Sequence, residues 1–171
     1  MKDTENEYFF EMETRKHQQA VANGLMRFAK LLLERAEVHD KSKLERPERD
    51  LFCKYTPILK GLTYGSPEYK TALEKLGPAL SHHYANNKHH PEYNDINGFS
   101  FQTLNDPIRS MDLVDVVEML CDWMAAVQRH ADGNIGKSLE INKKRFNMNE
   151  QLVQLLANTV GMISEPSHDQ D

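Results

Sequence analysis

The chain has 171 residues and a mass of 19.8 kDa, with 39% apolar residues, 27% charged residues and a mean hydropathy of −0.68. Those values describe a globular chain with a wet surface, long enough for one domain with a proper core. A formal net charge of −5 argues against duplex nucleic-acid binding, and no run approaches the roughly 20 apolar residues of a membrane span.

The N-terminal stretch MKDTENEYFFEMETRK is acidic and lacks an apolar signal core, so cytoplasmic residence is the expectation. Cys53 and Cys121 are too few and too isolated for a disulfide framework. Residues 1–16 read as a helical extension, residues 17–163 as the helical domain and residues 164–171 as a polar, disordered tail. From Glu5 to Val38 the pattern is helical, with Val21, Leu25, Phe28 and Leu32 on one stripe. His17 and His39 fall on nearly the same face of that helix, but an unbroken helix would separate them by ~33 Å. They share a ligand only if the chain folds back, and Asn23-Gly24 is the local turn signal.

Val38–Leu44, VHDKSKL, then ends an apolar helix in His39-Asp40 and continues into a basic segment with Ser42. Pro47 opens a helix to about Leu59. Ser66-Pro67-Glu68 starts the next, with a capping Ser, Pro at the first position and an acid in the first turn. Gly77-Pro78 is expected to break or kink it. Asn94–Asp106 has no period and reads as a surface loop or a lid. Asp106-Pro107 or Ser110 starts a helix to about Ala131, with Leu113, Val117, Leu120, Met124 and Val127 as its apolar stripe. A second row holds Asp115, Glu118, Asp122 and Arg129. Asp122 lies between Cys121 and Trp123, where an acid needs a partner, either Arg129 or a metal. Helices over Lys137–Phe146 and Asn149–Ile163 complete an all-α, single-domain helical bundle.

The most informative stretch is Ser81–Tyr93, SHHYANNKHHPEY, which holds four of the eight histidines as two pairs a heptad apart. That step is close to two helical turns, so members of the two pairs can share a face. Asn86, Asn87 and Pro91 favour a helix ending near Asn86 and a turn carrying His89, His90 and Glu92. Several imidazoles and a carboxylate then lie within reach of one point, and imidazole is the commonest metal ligand.

The order His17, His39-Asp40, the pairs at 82/83 and 89/90, and Asp122 resembles the HD-domain superfamily of metal-dependent phosphohydrolases. Those are all-helical proteins whose ligands run H…HD…D. HDKSK is similar to their HD-x-G-K, with Ser42 in place of Gly, and HHPEYNDINGF resembles the HHE…G stretch of two-metal members. HDKSK, HHYANNKHHPEY and EMLCDWMAA together resemble a family of short phage and bacterial proteins with no settled function.

The resemblance implies an HD-domain-like fold. It also implies one or two divalent transition metals, with His17, His39, Asp40 and Asp122 on the first. His83, His89 and His90 (or His82) would complete a second site or contact substrate. Mixed imidazole and carboxylate ligation suits Mn, Fe, Co, Ni or Zn better than Ca. Lys43 and Arg129 are the candidates for holding a phosphate, and Glu92 or Glu118 for general base or support of a ligand histidine. The implied substrate is a small phosphate ester, with a nucleotide as the first candidate. Two rivals use the same residues: a di-iron oxygenase, and a non-catalytic, phage-type binding protein with a structural metal.

Overall fold

Residues 2–63, 65–97, 107–129 and 133–164 are described in the computed structural model. Among them are seven α-helices, two short 3-10 turns and no strand, in agreement with the all-α expectation. The loop or lid expected over Asn94–Asp106 falls largely outside the described residues, as does nearly all of the expected tail. No helix among the described residues is long and apolar enough to cross a membrane. The chain divides into two compact units between His39 and Asp40.

The first unit is one helix, α1 (Lys2–Val38), of 37 residues. Asn23-Gly24 does not turn it. A glycine inside a helix costs only about 1 kcal/mol relative to alanine, too little to interrupt so long a run of helix formers. Exposed pairs such as Glu11–Arg15 and Lys30–Glu34, one turn apart, add small increments. The fold-back that would bring His17 to His39 is therefore absent. His17 is exposed on α1, and the unbroken helix keeps it ~33 Å from His39 along the axis.

The second unit holds α2 (Glu48–Lys60), α3 (Pro67–Asn86), α4 (Glu92–Ile96), α5 (Leu113–Val127), α6 (Ile135–Arg145) and α7 (Glu150–Ile163). The 3-10 turns are Lys41–Leu44 and Pro107–Ser110. The Ser66 hydroxyl caps α3 by accepting from the Tyr69 N–H at 3.1 Å. Asn134 and Asn149 cap α6 and α7 in the same way. α5 starts later than expected because Asp112 is its cap, accepting from the Asp115 N–H at 2.9 Å. The residues before it, expected as helix, form the 3-10 turn instead.

Gly77-Pro78 does not break α3, which runs on to Asn86. Pro78 is on the exposed side, so the carbonyl it leaves without a helical bond is that of exposed Glu74. Ala72, Leu76 and Ala79 are buried on both sides of the Gly-Pro step and hold the two halves of the helix in line.

Two interiors result. Val116, Met119 and Leu120 of α5 pack with Leu139 of α6, with Phe146 and Met148 after it, and with Leu156 of α7 in an apolar core. The stripe Ala72, Leu76, Ala79 of α3 continues at the next helical step into His83, and there the interior becomes polar.

Candidate metal centre

Asp40 precedes the first 3-10 turn with φ 56° and ψ 13°, a left-handed conformation that Asp tolerates better than most residues. One carboxylate oxygen, Oδ2, accepts from Lys43 Nζ at 2.5 Å. The other, Oδ1, is 3.1 Å from His83 Nε2 and 3.6 Å from His89 Nε2. The Lys43 ammonium also sits 5.3 Å from the centre of the Phe52 ring, so its position is set from two sides.

α3 ends at Asn86, as the Asn and Pro content of the stretch suggests, and the next turn delivers the second histidine pair. Backbone bonds from His90 N–H to Asn87 O (3.2 Å) and from Tyr93 N–H to His90 O (2.9 Å) close it. The heptad relation holds for one pair. The rings of His83 and His90 are 4.8 Å apart, centre to centre, and those of His89 and His90 4.1 Å. Asp40, His83, His89 and His90 each offer one ligand atom, all within 4.8 Å of one another, so this group could hold a metal ion.

The far side of two of these rings is as informative as the near side. His83 Nδ1 is 2.9 Å from Glu48 Oε2, and His89 Nδ1 is 3.0 Å from Glu118 Oε1. A carboxylate only accepts, so each Nδ1 carries a proton, and each Nε2 is the ring atom turned toward the centre. Glu48 is 0% exposed, while His83 and His89 are each 1% exposed. Ser42 Oγ donates to Glu48 Oε2 and accepts from Asn87 Nδ2, which braces the carboxylate. The buried Nε2 atoms of His83 and His90 make no hydrogen bond. His83 Nε2 faces an Asp40 oxygen 3.1 Å away. That approach calls for positive charge between the two atoms, supplied either by a second ring proton or by a metal ion.

Burial first, and then the neighbouring His89 and His83, lower the pKa of His90 to about 2 against an opposing pull from Asp122. Its imidazole is neutral at physiological pH, the state in which it can ligate. The carboxylates of Asp40, Glu48 and Glu118 around the imidazoles make the centre electronegative, a setting that suits a divalent cation.

The other expected residues are placed as follows. The histidines expected at a second site join Asp40 in one group instead of forming their own. His82 turns away and bonds Glu48 Oε1 at 2.8 Å from a half-exposed position. His39 is the last residue of the first unit. Asp122 brings a carboxylate oxygen within 4.8 Å of one from Asp40. Lys43 is engaged by Asp40 and Glu92 by Arg145 Nη2 at 2.5 Å, while Glu118 supports His89. Arg129 is exposed.

A cavity of ≈380 Å³ adjoins the centre, and His90 and Asp122 form part of its wall along with Arg129 and Glu92. That volume falls within the usual range for small-molecule sites.

Sequence reasoning missed Glu48, the Ser42–Asn87 brace and the cavity residue Arg145. Glu48 opens α2 directly after Pro47, where an acid serves the helix N-terminus and needs no other explanation. Its partner His83 is 35 positions away, and no local pattern links the two.

Residues 6–162 match the model of a family described as Family of unknown function (DUF5662), and the chain belongs to that family. No curated protein and no solved structure matches it.

Proposed function

We propose that the protein is a metal-dependent phosphohydrolase acting on a small phosphate ester. Asp40, His83, His89 and His90 would hold a divalent transition metal, with Asp122 adding a carboxylate on the cavity side. The observation that carries this reading is the pair of Nδ1–carboxylate bonds, His83 to Glu48 and His89 to Glu118. Metal-binding histidines characteristically donate their second ring N–H to a carboxylate, which fixes the tautomer and raises ligand basicity. The unbonded Nε2 atoms of His83 and His90 fit the same donor set.

Three imidazoles and a carboxylate suit Mn, Fe, Co, Ni or Zn. Such an ion supplies Lewis-acid polarisation of a phosphoryl oxygen and lowers the pKa of water bound to it. The chain's own residues do the rest. Glu48 and Glu118 hold the imidazoles in register, Lys43 holds Asp40, and His90 and Asp122 open the centre toward the cavity. A structural metal would sit in a closed shell, so the adjoining cavity favours a catalytic role. Hydrolysis is preferred to oxidation because the HDKSK segment and the ligand order resemble the HD-domain phosphohydrolases; nucleotide substrates come from the same resemblance.

The test is phosphate release from a panel of phosphomonoesters by protein loaded with Mn, Fe, Co or Ni. Release that requires metal and is lost in His90→Ala and Asp122→Asn is the expected result. No release by fully loaded protein contradicts the reading, and iron-dependent oxygen uptake in its place would establish the oxygenase.

A further inference from the structure

The cavity beside the centre has a lining that the hydrolase reading does not itself require. Arg145 is paired with Glu92 and also hydrogen-bonded to the Tyr84 hydroxyl. A guanidinium only donates, so the phenol oxygen accepts from it and the phenol hydrogen is left to donate elsewhere. Tyr84 lies against His90, ring centres 4.7 Å apart, and forms part of the same cavity wall. Arg129 and Lys137 also line the cavity, and both are exposed cations. The remaining wall combines polar side chains, Asp122, Asn134, Ser138 and Asn142, with one aromatic and aliphatic face. Trp123, stacked parallel to Phe146 with ring centres 6.1 Å apart, is joined there by Tyr69, Val127 and Ile141.

Against that apolar face a polyol or sugar would leave hydroxyls unpaired, at a cost for each one desolvated. A flat ring loses nothing there and gains contact area. We propose that this cavity binds a phosphomonoester carrying a flat, apolar ring: the anion meets Lys137, Arg129 and the Tyr84 hydroxyl, and the ring lies against Trp123. This rests on the hydrolase reading for the word substrate, but the binding site stands on its own lining.

Trp123 is the chain's one tryptophan, so its fluorescence reports occupancy directly. Phenylphosphonate and methylphosphonate carry the same anionic group, resist hydrolysis and differ by the ring. Titrated into metal-loaded protein, phenylphosphonate is expected to change Trp123 emission saturably and to bind about tenfold more tightly than methylphosphonate. Calorimetry should show Lys137→Ala and Tyr84→Phe each weakening phenylphosphonate by about tenfold, with metal content unchanged. Equal affinity for the two probes overturns the ring subsite, and absence of saturable binding overturns the cavity as a ligand site. Metal content measured on the same samples separates the two claims. Phenylphosphonate binding by protein that retains no metal upholds the cavity and sinks the hydrolase.

Discussion

Helix α5 borders two interiors built on opposite principles. Toward α6 and α7 it presents Val116, Met119 and Leu120 to an apolar core with no preferred direction. Its Glu118 instead reaches His89, and with Asp40, Glu48 and His83 forms an interior in which almost every contact is directional. The apolar half is stabilised by area removed from water, at roughly 25 cal/mol per Å². Buried carboxylates and imidazoles lose hydration, and replacing such groups by packed apolar residues is often neutral or stabilising. Stability alone therefore does not account for Glu48 at 0% exposure beside two imidazoles. The proposed cation would, and the contrast can be broken or sharpened by experiment.

The largest expected effect is that of the metal itself. An ion at a thousandfold above its dissociation constant stabilises the folded state by about 4 kcal/mol. Chelation should lower the melting temperature accordingly, and hydrogen exchange should rise first in α3 and the His89–His90 turn, with α6 and α7 least affected. Uniform loss of protection, or none, would merge the two interiors into one.

Leu120→Ala tests the other side. Leu120 is 1% exposed, and its truncation should cost about 3 kcal/mol through lost burial and the cavity left behind. Denaturant unfolding measures the loss, and titration of the folded variant should find metal affinity within twofold of wild type, roughly the scatter expected for uncoupled sites.

Smaller still is Glu48→Gln. The amide nitrogen would face either the His82 or the His83 N–H, donor against donor, where Glu48 now accepts from both. Metal affinity should fall about 10–100-fold, and competition with a chromogenic chelator measures it. Unchanged affinity would reduce Glu48 to a structural acid.

Gly77→Ala marks the lower end. Beyond its chain neighbours nothing lies within 4 Å of an added Cβ. The Pro78 ring disfavours a Cβ on the helical residue before it and offsets the entropy gain, so stability should change by less than about 1 kcal/mol without altering metal affinity. A loss well beyond that would mean that α3 needs a conformation at this step that only glycine adopts.

Much of the fold was legible because helices announce themselves locally. Ser66-Pro67 marks the start of α3 and Asn86-Asn87 its end, and both rest on capping chemistry within four residues. The misreadings share a cause, since Gly77-Pro78 and Asn23-Gly24 are local break signals overridden by their surroundings. Buried packing on either side outweighs the first, and a long run of helix formers outweighs the second. His83, His89, His90 and Asp40 were each legible as candidate ligands because residue type alone singles out imidazoles and an adjacent His-Asp. Their gathering into one group was not, since it depends on how α3 and the turns pack. Glu48 was not, because a carboxylate near a helix N-terminus is ordinary and its meaning comes from a partner on another helix. Lys43 and Glu92 illustrate the same limit. Both read as free chemistry in sequence, and both are engaged by a neighbour in the fold.

The central claim is that the polar interior is a metal centre, and elemental analysis tests it most directly. Wild-type protein reconstituted with Mn, Fe, Co, Ni or Zn should retain about one ion per chain through desalting. His83→Ala should retain none while its helical circular dichroism persists. Wild-type protein that keeps no metal under any of these conditions would contradict the account and leave Glu48, Glu118 and the histidines as a buried hydrogen-bond network alone.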